Sequence, residues 1–246
     1  MIKSKREKTL QIKRVPTGVS RLDSLTEGGF ENGSTNLLIG SSGTGKSILA
    51  VQFLKAGMDK GETCLYVTFE ERKEEVYANM LEFGWNLEEY EKKGLFTFLE
   101  YTPEKVKVML EEGGGSIETL VVKNKIARIA IDSITSFELL FEKELEKREA
   151  ALSLFKMISA WGCTTLLTYE GDPLKESLDH KAMEFHSDSI ILLYYLRNKT
   201  KRERYLEVLK MRGTKHAESI YKFTIEKNGI VIDKKPYEGK SLRRLY

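Results

Sequence analysis

The chain predicts an α/β domain in which helices flank a mainly parallel central sheet with an antiparallel C-terminal edge. Three observations carry that prediction. Short apolar runs alternate with amphipathic stretches, as βαβ units require. A glycine-rich segment, GSSGTGKS (40–47), lies between an apolar run and a helical pattern. The last three apolar runs follow one another with little helix between them, as hairpin strands do.

The elements follow in order. STNLLIG (34–40) reads as a strand, and 46–58 as a helix with Leu49, Ala50, Phe53 and Leu54 on one face. TCLYVTF (63–69) is the next strand, followed by a helix over 72–83 that stops near Gly84. LFTFLEY (95–101) reads as a strand. A helix over 104–112 stops at Gly113-Gly114-Gly115, a second helix follows, and ARIAID (127–132) is a strand. Residues 144–161 form a helix with Leu152, Phe155 and Ile158 at core spacing, before the strand CTTLLTYE (163–170). DSIILLYYL (188–196), RYLEVLKMR (204–212) and SIYKFTIE (219–226) are the hairpin strands of the antiparallel edge.

The 246 residues suit one large α/β domain, or at most two small ones. We expect a basic arm over 1–14, the domain over 15–233 and a basic tail over 234–246. With 40 basic and 37 acidic residues the charge is too balanced to argue for a nucleic-acid partner. The tail KSLRRLY, with Lys240, Arg243 and Arg244, is a local excess that reads as solvated. Cys64 and Cys163 lie in apolar runs and read as small core residues. No run of signal-peptide or membrane-spanning length occurs, so a soluble, cytoplasmic protein is expected. Abundant Lys and Glu beside only two glutamines, Gln11 and Gln52, suit a thermophile.

Gly40, four residues, then Gly45-Lys46-Ser47 is the full P-loop pattern. Backbone N–H groups from Gly43 through Thr44, Gly45, Lys46, Ser47 and Ile48 would wrap a phosphate chain at a helix N-terminus. Lys46 would neutralise the terminal phosphates, and the Ser47 hydroxyl would ligate Mg²⁺. The second acidic half of such a site is Asp132, where RIAIDS passes from strand to loop at the carboxyl edge of the sheet. ATP and Mg²⁺ are the ligands this pairing implies.

VTFEE (67–71) ends an apolar strand in two carboxylates, Glu70 and Glu71. Their edge is the edge of the phosphate loop. Hydrolysis needs a water positioned for in-line attack, and a carboxylate within hydrogen-bond reach can do this. Mutual repulsion would raise one pKa, which suits a base. A solvated turn before a helix remains the other reading of the same residues.

With these motifs the chain resembles the KaiC family of RecA-like P-loop NTPases, from about Val15 to about Ile232. PTGVSRLDSLTEGGFENGS, GSSGTGKS, FEE, FGW (83–85), IAIDS and KMRGTKH (210–216) occur in the family's order. The resemblance implies a ring, usually of six subunits, in which KMRGTKH reaches the nucleotide held by a neighbour. Lys210 and Arg212 would then meet the neighbour's γ-phosphate, and Met211, Thr214 and His216 would line its nucleotide. It also favours a catalytic role for Glu70 and Glu71. Departures limit the transfer. This chain carries one such domain where the clock protein carries two. Glu184-Phe185 stand near where that protein phosphorylates itself, and neither accepts phosphate. Glu82 stands at a base-contact position, so base preference does not carry over. His180 and His186 read as ordinary loop or surface residues.

The sequence therefore points to an ATP-binding protein acting as a slow Mg²⁺-dependent ATPase in a shared-site ring. The alternatives are an ATP-assembled regulatory scaffold with an unknown protein partner, or a DNA-acting motor. The motor reading wants a basic channel loop. GGGSIETLVVKNK (113–125) carries only Lys123 and Lys125, and the first residues are merely a basic arm with Lys3, Lys5, Arg6 and Lys8.

Overall fold

Strands buried on both faces read as unbroken apolar runs, and those runs build the middle of the sheet. The computed structural model describes residues 12–102, 105, 108, 115–138, 140–141, 143–175, 181–198 and 200–239. A short ribbon, β1 (Arg14–Val15) with β2 (Phe30–Glu31), flanks helix α1 (Ser20–Leu25). The main sheet comprises β3 (Thr35–Gly40), β4 (Cys64–Thr68), β5 (Phe96–Glu100), β6 (Arg128–Asp132), β7 (Thr164–Glu170), β8 (Ser189–Asn198), β9 (Lys201–Met211), β10 (Tyr221–Glu226) and β11 (Gly229–Ile232). Its spatial order is β11-β10-β9-β8-β3-β7-β6-β4-β5. From β8 through β5 every pairing is parallel, and from β8 outward to β11 every pairing is antiparallel.

The pleat divides the core. Leu38 faces helix α2 (Lys46–Met58), joining Leu49, Phe53, Tyr66, Ala130 and Leu166. Leu37 and Ile39 face the other way, against a layer that includes α5 (Gly115–Asn124) and α7 (Glu144–Ala160), through Ile117, Val121, Phe155 and Ile158. Helices α3 (Lys73–Leu81) and α4 (Leu87–Lys92) lie after β4, α6 (Thr135–Glu138) after β6, and α8 (Lys181–His186) before β8. Among the described residues no helix is long and apolar enough to cross a membrane.

Arg128, fully buried at the start of β6, staples the N-terminal segment to the sheet. Its guanidinium donates to Glu62 Oε2 at 2.5 Å, to the Pro16 carbonyl at 2.7 Å and to the Phe53 carbonyl at 2.9 Å. Gln52 fastens α2 on both sides, donating to Gly18 O and accepting from Ile230 N, each at 2.9 Å. Cys64 and Cys163 are buried, and burial pushes their thiols up to about 12 and about 11.

The strands expected from apolar runs are present with small shifts at their ends. The hairpin strands run longer: β8 reaches Asn198 and β9 starts at Lys201, because cross-strand pairing continues past the apolar residues. Residues 115–124 form the second helix expected there, with Ile117 and Val121 in the core. The helix expected over 104–112 lies outside the described residues, apart from 105 and 108. The residue expectations for His180, the tail beyond 239 and the arm before 12 also fall outside them. His186 is half-buried and its ring packs 6.0 Å from that of Phe155. Packing continues past Asp233, since Tyr237 N donates to Ile220 O and its ring lies 4.9 Å from that of Tyr205.

Candidate functional site

β3 ends at Gly40 on the carboxyl edge of the sheet, and the chain turns back into α2 at Lys46. No side chain fits at Gly40: a Cβ there would stand 2.7 Å from Thr44 Oγ1 and 2.9 Å from Leu193 O. Gly45 caps the helix at φ 100°, a conformation that L side chains rarely adopt. Thr44 is buried beneath the turn and donates through Oγ1 to Ser41 O at 2.8 Å. Lys46 is buried too, and Nζ donates to the loop's own carbonyls, Gly40 O at 2.8 Å and Ser41 O at 3.1 Å. Burial lowers its pKa, while Glu170, Asp132 and Glu70 draw it back up.

Asp132 ends β6 between β4 and β7, opposite Thr68 in the register. Both neighbouring strands hold its carboxylate. Tyr66 Oη donates to Oδ2 at 2.7 Å, and Thr168 Oγ1 donates to Oδ1. Burial, and then the Asp132 charge, push the Tyr66 phenol well above its ordinary pKa, so it stays a donor.

The turn after β4 is shaped by Thr68, whose Oγ1 accepts from the amides of Glu70 at 3.3 Å and Glu71 at 3.1 Å. Glu70 accepts from Ser133 Oγ at 3.4 Å and from Ser136 Oγ. Glu71 is half-buried. Burial first, then Asp132 and Glu70, raise its pKa above the usual carboxylate range.

These groups share one cavity of about 460 Å³, whose lining includes Gly43, Gly45, Lys46, Ser47, Ile48, Glu70, Glu71, Asp132 and Ser133. Three further residues line it that the motif reading did not name: Glu170, Arg204 and Ile225. Glu170 ends β7, beside Gly40. Arg204 lies across from Tyr195 on the β8–β9 ladder, with its guanidinium 4.2 Å from the centre of that ring. Its Nε donates to Gly43 O at 3.0 Å. A strand-ending Glu at 170 has the same signature as Asp132 and could have been read from the sequence. Arg204 gives no such signal, because its place depends on hairpin register.

KMRGTKH lies elsewhere. β8 runs parallel to β3, Leu193 is level with Gly40, and Ser189 pairs Met211, so β9 ends at the amino edge of the sheet. The register shifts between Ile190 and Ile191, leaving Leu209 unpaired just before Lys210 and re-aiming the strand end. Lys210 Nζ donates to Glu184 O at 2.8 Å and Ser187 O at 2.7 Å. Arg212 donates to Phe185 O at 2.7 Å and pairs with Asp188 at 3.3 Å. Met211 is buried, Thr214 accepts from Arg14 at 2.7 Å, and His216 Nδ1 lies 3.1 Å from Ala217 O. None of the five lines the cavity of its own chain, and neither does Glu82, the residue capping α3.

The donor set fits a triphosphate with a small divalent cation. The loop offers backbone N–H groups and a buried ammonium to phosphate oxygens. Four carboxylates in one cavity call for positive charge. Among the described residues no group of three or more His, Cys, Asp or Glu forms a metal cage by itself. The hydroxyl and carboxylate oxygens of Ser47 and Asp132 in the lining suit Mg²⁺, which binds through one or two protein ligands plus phosphate.

The family profile described as "ATPase: KaiC" matches residues 15–237. A circadian clock oscillator protein KaiC from Thermosynechococcus vestitus is 32% identical over 238 residues, which cover 92% of this chain and 45% of that protein. The chain thus spans less than half the length of that relative. A UPF0273 protein from Thermotoga maritima is 32% identical over 241 residues, covering 93% of this chain and 98% of its own length. The crystal structure of the KaiC-like protein PH0186 from the hyperthermophilic archaeon Pyrococcus horikoshii OT3 aligns with a TM-score of 0.81 at 36% identity, covering 90% and 99% of the two chains.

Proposed function

Since the chain belongs to the KaiC family of ATPases, we propose that it is a slow Mg²⁺-dependent ATPase working as a ring, usually of six subunits, with nucleotide sites shared between neighbours. The observation that carries this is the convergence of Lys46, Ser47, Asp132, Glu70 and Glu71 on one cavity. In this reading Lys46 leaves its loop carbonyls for the terminal phosphates, and the loop amides bind the rest of the chain. Ser47 and Asp132 hold the cation, Asp132 in the orientation that Tyr66 and Thr168 impose. Mg²⁺, when bound, neutralises charge developing on the phosphates. Glu71, with its raised pKa, takes the proton of the attacking water, and Glu70 helps to place that water.

Lys210 and Arg212 of the adjacent subunit complete the site. They sit on the amino edge, so a head-to-tail interface would bring them to a neighbour's phosphate loop, and such an interface makes a ring where its rotation closes. Arg212 supplies a permanently charged fork to the transferring phosphoryl group.

One observation favours a second reading, an ATP-assembled scaffold. Lys210 and Arg212 are already engaged with Glu184, Phe185, Ser187 and Asp188, so assembly must exchange those contacts before the neighbour's phosphate is reached. Phosphate release from Mg²⁺-ATP, comparing wild type with Glu70→Gln/Glu71→Gln, separates the two. Turnover lost with ATP binding kept supports the ATPase. Equal inertness while ATP still assembles the ring supports the scaffold.

A further inference from the structure

The β8–β9 hairpin projects past the phosphate loop and carries charge that the nucleotide site does not use. Leu193 is level with Gly40, so residues 194–198 extend roughly 16 Å beyond the end of β3. The stretch RNKTKRER (197–204) holds five cations, Arg197, Lys199, Lys201, Arg202 and Arg204, against one carboxylate, Glu203. Lys199 lies outside the described residues. Glu203 is buried and its charge is met internally, by Lys222 at 2.7 Å, Asn198 at 2.7 Å, Tyr205 at 2.9 Å and Lys201 at 3.3 Å.

Arg197 and Arg202 stand directly opposite each other on the ladder, both exposed. Like charges facing across a strand pair destabilise it. Among the described residues neither makes an ion pair; Arg202 donates only to Tyr195 O, at 3.4 Å. Both line a cavity of about 360 Å³ together with Ser41, Tyr194 and Tyr195. The carboxylate in that lining, Asp172, turns to its own loop, accepting from Leu174 N at 3.1 Å and lying 3.9 Å from Lys175 Nζ. The Arg202 guanidinium lies 5.3 Å from the centre of the Tyr195 ring, so cation and aromatic plane present one surface. Nothing in the hairpin balances this pair, and its chemistry is that of a phosphate receptor.

We propose that the Arg197–Arg202 pair, with Tyr195 beside it, is a docking surface for the phosphodiester backbone of a single-stranded nucleic acid. Cationic grooves with aromatic side chains are how proteins bind such strands without reading sequence. An extended strand presents its phosphates one after another, and the guanidinium forks take phosphate oxygens in pairs. This surface adjoins the ATP site through Ser41 and the Tyr195–Arg204 stack, but Arg197 and Arg202 do not line that cavity, and the proposal does not depend on turnover there.

The test is fluorescence anisotropy with labelled oligothymidylate, as a function of salt. Wild type is expected to bind at low salt, and log K to fall linearly with log salt concentration. Arg197→Gln/Arg202→Gln should weaken binding by about ten-fold or more and lower the slope by about 1.4, the value for two lost single-strand phosphate contacts. Arg197→Lys/Arg202→Lys should restore most of the slope. The glutamine variant should keep the wild-type thermal midpoint, which shows that it folds. No binding by wild type at low salt, or equal binding by the glutamine variant, overturns the proposal. Competition by polyglutamate as strong as that by unlabelled oligothymidylate overturns it in favour of an acidic protein partner. Loss of oligothymidylate binding in Lys46→Ala would show that the strand enters the nucleotide cavity, and would overturn it as well. Failure of the ATP reading would appear instead as absent Mg²⁺-ATP stabilisation in wild type.

Discussion

Tyr66 Oη donates to Asp132 Oδ2 at 2.7 Å, so the strand beside β6 fixes the carboxylate proposed to hold the cation. Tyr66→Phe removes that donor and leaves the one from Thr168. A hydrogen bond to a charged group contributes about 1.5–3 kcal/mol. We expect the Mg²⁺ concentration for half-maximal turnover to rise by roughly ten-fold, with a smaller change for ATP at saturating Mg²⁺. A Mg²⁺ titration of phosphate release measures this, and an unchanged half-point would remove Tyr66 from the positioning role.

Lys46→Ala should abolish stabilisation by nucleotide. A ligand at one hundred times its Kd stabilises the folded state by about 2.7 kcal/mol, which for a domain of this size is a shift in Tm of roughly 5–11 °C. Wild type should show such a shift with Mg²⁺-ATP and the variant none. A full shift in the variant would sink the assignment of the phosphate loop.

Glu71 ties the pH dependence of rate to that of stability. Its raised pKa means that the folded state holds this proton more tightly than the unfolded chain. Its contribution to stability is therefore fully present below the unfolded value, about 4.5, and is lost as pH rises through the folded value. Glu71→Gln should accordingly be more stable than wild type above that window. The base must be ionised, so turnover should fall on the acid side with a midpoint above 4.5. Glu75, exposed on α3, is one of the charges raising this pKa. Glu75→Gln should move the acid limb down, and an unmoved limb would show that a different group titrates there.

Arg212→Ala should cost little stability, since its pair with Asp188 is half exposed and such pairs contribute about 0–1 kcal/mol. Hydrolysis should fall by roughly 10²–10³ with ATP binding largely kept. Mixing it with Lys46→Ala should restore part of the activity, because some interfaces then pair an intact loop with an intact Arg212. No recovery in confirmed mixed rings would show that Arg212 does not act across the boundary.

Arg128→Met leaves Glu62 without its partner and two carbonyls, Pro16 O and Phe53 O, without their donor. Breaking a buried pair from one side costs about 3–5 kcal/mol. Urea unfolding should register a loss of that order. Glu62→Gln should cost less, because the Glu62 side chain is 35% exposed while that of Arg128 is 1% exposed.

How much could be read from residues alone follows from what each element depends on. β3, β4, β6 and β7 are buried on both faces, so their apolar runs announce them. The phosphate loop and Asp132 are local signatures at strand ends. β11 gives no such signal, because GIVI is four residues long and becomes a strand only by pairing with β10. α1 and α4 are six residues each, too short for periodicity to declare them. Glu170 ends an apolar run as Asp132 does, and the strand order, with β7 between β3 and β6, then sets it beside the phosphate loop. Arg204 needs the hairpin register as well, since a shift of one residue would turn its side chain to the opposite face.

β9 begins beside one phosphate loop and ends in the residues proposed to serve another. From Arg204, bonded to Gly43 O, to Lys210 is a rise of roughly 20 Å through a strand paired on both sides for part of its length. The strand joins the two as a connecting rod does, with the bulge at Leu209 as its joint. In a closed ring each rod would join consecutive phosphate sites. A displacement at one loop would then arrive at the next as a translation, and the train of rods would return to where it started.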